Sequence, residues 1–172
     1  MAFIDSVDHS FASITVTDSQ VPAEEFLLSV ESLLVLLGKM GTAFGVVVRD
    51  MQGNVNTLRS ATTPQSTLQQ VSSSKTMPAL LWLGRALLFT STSLRRSLEN
   101  PSEELSASFA AGYKTTLSAH HSFLIRPVFS LAMAACPTRR AFYDMVGDQD
   151  KFNVWLTALE SQVQIIVGIT GK

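Results

Sequence analysis

The sequence predicts an all-α fold of seven or eight helices, and three observations point that way. Apolar residues recur at three- and four-residue spacing in one segment after another. Pro, Gly and Ser/Thr-rich stretches fall between those segments, and no convincing set of strands is present.

In residues 22–38, Phe26, Leu27, Val30, Leu33, Leu34 and Leu37 share one helical face, with Pro22 at the entry and Gly38 at the exit. Residues 41–60 repeat the pattern through Phe44, Val47, Val48, Met51, Val55 and Leu58. Gly53 costs this second helix about 1 kcal/mol relative to Ala, which suggests close packing or ligand approach. Residues 61–76 are rich in Ser, Thr and Gln and read as a connector with at most a short helix at 67–71. A long apolar helix spans 77–97. Asn100-Pro101-Ser102-Glu103 then reads as a cap, a first-turn Pro and an acid that open a helix ending near residue 119. Residues 120–135 read as a helix bent at Pro127, and Cys136-Pro137-Thr138 stops it and opens a short helix to Gly147. Asp148 starts the last helix, marked by Phe152, Trp155, Leu156, Leu159, Val163 and Ile166; its β-branched tail, 163–170, either frays or extends it.

Composition narrows the function classes. The 172 residues suit one domain, with a core over 22–168, able to bury roughly two-thirds of the surface of its unfolded chain. Charged residues make up 16%, against about 25% in an ordinary soluble domain, while 46% are hydrophobic. The longest apolar runs are broken by Glu31 and Arg126, so no membrane span is expected. The acidic, uncharged-start N-terminus does not read as a secretory signal, and the single Cys136 agrees with a reducing compartment; a cytoplasmic location follows. A net charge of −1 argues against a nucleic-acid partner.

The polar residues placed on apolar helices are the best clue to function. Asp50, Asn54 and Thr57 fall at i, i+4 and i+7 beside the apolar stripe of the second helix. Such a stripe can grip hydroxyl or amide groups, or be a solvated flank. Trp82 lies among Leu residues, with Arg85 and Phe89 on its face; it is either core or a platform for the apolar face of a sugar. His121, beside His120, can bond a ligand carbonyl or cap local backbone. No His/Cys/acid cluster has zinc-ligand spacing, and no P-loop, G-x-S-x-G or H-E-x-x-H motif occurs, so neither metal nor cofactor is expected.

Four segments occur in order: Met40-Gly-Thr-Ala-Phe-Gly-Val-Val-Val-Arg-Asp-Met-Gln-Gly-Asn54, Leu80-Leu-Trp-Leu-Gly-Arg-Ala-Leu87, His121-Ser-Phe-Leu-Ile-Arg-Pro-Val-Phe129 and Ala135-Cys-Pro-Thr-Arg-Arg-Ala-Phe142. Together they resemble the glycolipid transfer protein family. The resemblance implies a two-layer sandwich of about eight helices enclosing an apolar lipid pocket, with the head group held at the surface by a monomer that touches membranes transiently. On that basis Asp50 and Asn54 bond sugar hydroxyls, and Asp50 also takes the sphingoid amide N–H. Trp82 underlies the first sugar ring and His121 binds the ceramide amide oxygen. Phe44, Phe89 and Phe129 match positions lining the chain tunnel, with Val47 and Val48 beside them.

The chain also departs from the family pattern. Thr57 stands where the glycolipid branch has Lys, which implies a grip on the sugar either weakened or redirected towards Arg59. The ceramide-1-phosphate branch carries Lys at position 54 and Arg at 78 and 82, where this chain has Asn54, Pro78 and Trp82. Lys75 and Arg85 are distant substitutes for those phosphate donors. The Cys136-Pro-Thr-Arg-Arg segment looks closer to the phosphate branch. The expected function is therefore non-enzymatic transfer of glycosphingolipids such as glucosylceramide. The alternatives are ceramide-1-phosphate transfer, a lipid-sensing adaptor, or an enzyme using His121 with Asp50 as an acid–base pair.

Overall fold

The computed structural model describes residues 1–171, and its regular secondary structure is helical. Its helices are α1 (Ala23–Lys39), α2 (Gly45–Arg59), α3 (Leu68–Val71), α4 (Met77–Glu99), α5 (Leu105–Thr116), α6 (Arg126–Ala134), α7 (Arg139–Val146) and α8 (Gln149–Thr170). Among the described residues only two isolated β-bridges accompany them, Thr17 with Gln20 and Pro22 with Thr67. The helices form a two-layer sandwich in which α1 packs on α2 and α2 packs on α4. Helix α4 in turn packs along α5 and α8, and α6 reaches both α2 and α5.

The apolar stripes read from the sequence face inward. Phe26, Leu27, Val30, Leu33, Leu34 and Leu37 of α1 are buried, as are Val47, Met51, Val55 and Leu58 of α2. Gly41 precedes α2 at φ 121°, a conformation that L side chains rarely adopt, and lets the chain turn sharply between the two helices. Gly112 lets α5 lie close on α4: a Cβ there would stand 3.2 Å from the Ser93 Cα. Thr67 and Gln70 form a reciprocal capping box for α3, and Asp148 caps α8 by accepting from the Asp150 and Lys151 N–H groups. The β-branched tail remains helical to Thr170.

Three expectations need correction. Asn100 does not open α5; it closes α4, with its backbone N–H and its Nδ2 both donating to the Arg96 carbonyl. Glu103 is held by the Arg96 guanidinium at 2.8 and 2.7 Å and by the Ser108 hydroxyl at 2.6 Å, so α5 starts later, at Leu105. The helix expected over 120–135 is confined to Arg126–Ala134, because Pro127 fits the first turn, where its missing N–H costs nothing, better than an interior. Ahead of it His121 is extended, at φ −95° and ψ 139°, after a 3-10 turn at Ser118–His120. Finally, the core begins before residue 22. Phe3 and Phe11 are buried edge-on against Trp155, both with ring centroids 5.6 Å away.

Candidate functional site

Asp50, Asn54, Trp82 and His121, far apart in the chain, line one cleft of about 330 Å³. They arrive by three routes. The 3.6-residue period of α2 stacks Val46, Asp50 and Asn54 on one face, one turn apart. Helix α4 contributes Trp82, half-buried against the core. The extended segment after the 3-10 turn presents His121, and the start of α6 closes the floor with Ile125, Val128 and Phe129.

The aromatic contacts fix the geometry. The Trp82 and His121 rings lie 19° from parallel with centroids 5.9 Å apart. His121 also packs on Phe129, at 4.4 Å, and its Nδ1 is 3.0 Å from the Tyr113 hydroxyl. The Arg85 guanidinium carbon sits 4.9 Å from the Trp82 ring centroid, a cation–π contact that steadies the indole from beside the cleft.

The polar groups keep capacity to bind. The Asp50 carboxylate accepts no hydrogen bond from the described residues. Desolvation raises the Asp50 carboxyl above its ordinary value, against the pull of His121. Desolvation likewise lowers the His121 imidazole, against the pull of Asp50, so the ring is neutral at neutral pH. Asn54 Nδ2 donates to the Asp50 backbone carbonyl at 3.1 Å, leaving Oδ1 and one N–H. The cleft therefore offers a carboxylate, an amide, an imidazole and an indole face above an apolar floor. Such a set has the chemistry to bond hydroxyl or amide groups on one side and to contact hydrocarbon on the other.

Other expected site residues stand elsewhere. Thr57 is exposed, donates to the Gly53 carbonyl at 3.0 Å and does not line the cleft. Arg59 does not replace the expected Lys. It is committed to Glu31 through two hydrogen bonds of 2.6 and 2.9 Å, and this pairing holds the Glu31 carboxyl below its ordinary range. Phe44, Val47 and Phe89 are buried in the core, with Val48 half-buried against it; Phe129 joins core and cleft. Cys136 is half-buried, with its thiol pushed up to about 12 by desolvation, which leaves it a poor nucleophile. Among the described residues no group of three or more metal-ligating side chains exists.

Reading the sequence missed Val46, Ile125, Val128 and Tyr113. Val46 was within reach, one turn before Asp50. The others depend on where the chain leaves α5 and enters α6, which a continuous helix over 120–135 misplaces.

Fold and cleft together define a class: an all-α domain with a cleft that joins polar groups to apolar ones. Comparison with known proteins agrees. The model of the family described as Glycolipid transfer protein (GLTP) matches residues 21–148. A curated glycolipid transfer protein from Aureobasidium melanogenum is 39% identical over 95% of this chain and 90% of its own length. The crystal structure of HET-C2, a fungal glycolipid transfer protein, superposes with a TM-score of 0.92 at 33% identity, covering 99% of this chain and 97% of that one. A structure of FAPP2, said to select simple glycosphingolipids using this fold, gives 0.81 at 26% identity over 99% and 97%. This chain belongs to the glycolipid transfer protein family, a family of lipid transfer proteins rather than enzymes.

Proposed function

We propose that this protein carries glycosphingolipids between membranes, holding the sugar and the ceramide amide in the cleft and the hydrocarbon chains in the interior beneath it. The observation that carries this reading is the convergence of Asp50, Asn54, Trp82 and His121, with the Asp50 carboxylate unused by the described residues. A carboxylate accepts from the amide N–H and from a sugar hydroxyl, the imidazole donates to the amide oxygen, and the indole face suits the C–H face of a sugar ring. A site built to bond hydroxyls rejects lipids that lack them, because its own polar groups are then left unpaired.

The same cleft disfavours ceramide-1-phosphate. Among the described residues no Lys or Arg lines it, and Asp50 places a negative charge where a phosphate would sit. The Arg85 guanidinium is stacked on the indole and does not line the cleft.

The hydrocarbon chains would enter past Phe129, between α2 and α6, and part the rings that now pack Phe44, Phe89 and Phe109 edge to face. Burial worth about 0.8 kcal/mol per CH₂ supplies the driving force over a long chain. Delivery requires a bilayer contact, for which the rim is suited. Phe123, Leu124 and Leu131 are 77%, 68% and 71% exposed, and they adjoin Ile125 and Val128 of the cleft. No described helix is long and apolar enough to cross a membrane.

Native mass spectrometry of the purified protein, offered glucosylceramide and ceramide-1-phosphate in equal amounts, tests the reading. A dominant glucosylceramide adduct supports it; a dominant ceramide-1-phosphate adduct overturns the head-group assignment.

A further inference from the structure

Within the glycosphingolipid reading of the cleft, which this inference assumes, one buried residue stands behind the imidazole. We propose that Tyr113 is a positioning residue that sets the tautomer and orientation of His121, so that Nε2–H faces an acceptor oxygen in the cleft.

His121 sits on extended chain between a 3-10 turn and α6, and its backbone holds it loosely: its N–H reaches Ser118 at 3.3 Å and its carbonyl accepts from Arg126 Nε at 3.1 Å. Its ring needs a side-chain anchor. Tyr113 supplies one from α5, with its hydroxyl 3.0 Å from Nδ1. Tyr113 is itself fixed. It is 6% exposed, stacked on Phe129 at 5.4 Å and 12°, and edge-on to Phe89 at 6.0 Å. Its neighbour Gly112 is pressed against Ser93 of α4.

A neutral imidazole has one donor and one acceptor nitrogen, and the hydrogen bond made by one decides the role of the other. Burial raises the Tyr113 phenol above its ordinary value, so it keeps its proton and is able to donate; the assigned direction is Tyr113 O–H to His121 Nδ1. With Tyr O–H directed to Nδ1, the ring proton resides on Nε2, the nitrogen without a described partner. The opposite tautomer would turn an acceptor towards the amide oxygen and repel it.

The test is Tyr113→Phe, which keeps the ring and its aromatic contacts. Long-range ¹⁵N–¹H correlation of the lipid-free protein should show His121 as the Nε2–H tautomer in the parent and as a mixture in the variant. Affinity for glucosylceramide should fall about tenfold, the worth of a lost hydrogen bond to a ligand. The same substitution in a His121→Ala background should cost nothing further. An Nδ1–H tautomer in the parent, an unchanged tautomer in the variant, or an equal loss of affinity without His121 would each overturn the proposal. If the parent binds no glucosylceramide, the carrier reading fails, and the tautomer measurement alone decides the role of Tyr113.

Discussion

The Trp82 indole and the His121 imidazole lie nearly parallel, 19° apart, with the Arg85 guanidinium against the indole. One ring comes from a long helix and the other from an extended linker. The two residues proposed as sugar platform and amide binder therefore hold each other in place. A cleft fixed in this way binds without paying to order its side chains.

Asp50 should be a residue at which function and stability conflict. Its folded pKa is raised above the ordinary 3.8, so the folded state binds protons more readily than the unfolded chain in the window above that value. Stability contributed by the protonated form is present below 3.8 and is lost as pH rises through the folded value. Asp50→Asn should therefore melt higher than the parent at pH 7 and equally at pH 3, while losing glycolipid affinity. Paired melting curves at the two pH values check the sign.

The exposed run beside the cleft should govern membrane contact alone. Phe123→Asp changes a side chain that is 77% exposed, so melting should shift by no more than the equivalent of about 0.5 kcal/mol. Co-sedimentation with neutral phosphatidylcholine vesicles should fall severalfold, with transfer slowed in proportion. Affinity for a short-chain glucosylceramide in solution should be unchanged.

Arg59 should be structural. Its paired hydrogen bonds to Glu31 tie α2 to α1, and both side chains are about one-third exposed. Arg59→Ala should cost roughly 0.5–1 kcal/mol by urea denaturation, the range for a solvent-screened pair. Its transfer rate should remain within about twofold of the parent, since ordinary surface substitutions away from a site are near neutral.

Gly112→Ala should destabilise the protein by about 1–3 kcal/mol, an overpacking penalty. The added Cβ would stand 2.1 Å from Ser93 Oγ and 3.2 Å from Ser93 Cα, and the backbone atom cannot rotate away. Urea denaturation measures the loss, and because the strain is passed to Tyr113 next door, glycolipid affinity should weaken with it.

The sequence carried the helices wherever periodicity alone decides them. The stripes of α1 and α2, the Thr138 and Asp148 caps and the polar face of Asp50 and Asn54 were all legible there. It misled where one residue type serves two ends. Asn100 and Glu103 look like a helix start, yet Arg96 recruits both to close the preceding helix. Pro127 can bend a helix or begin one, and only packing against α5 decides. That ambiguity hid Ile125, Val128 and the Tyr113–His121 pair, since they meet only once the segment before α6 is unwound. The fate of Arg59 was equally illegible: its partner Glu31 lies a whole helix away.

Intermembrane transfer of fluorescent glucosylceramide, measured for the parent, Asp50→Val and Trp82→Ala, tests the central claim most directly. The four-residue cleft predicts rapid transfer by the parent and at least a thirtyfold loss in each variant, about 2 kcal/mol for a charge-assisted bond or an aromatic platform, with helical circular dichroism retained. Parent-level transfer by both variants would contradict it.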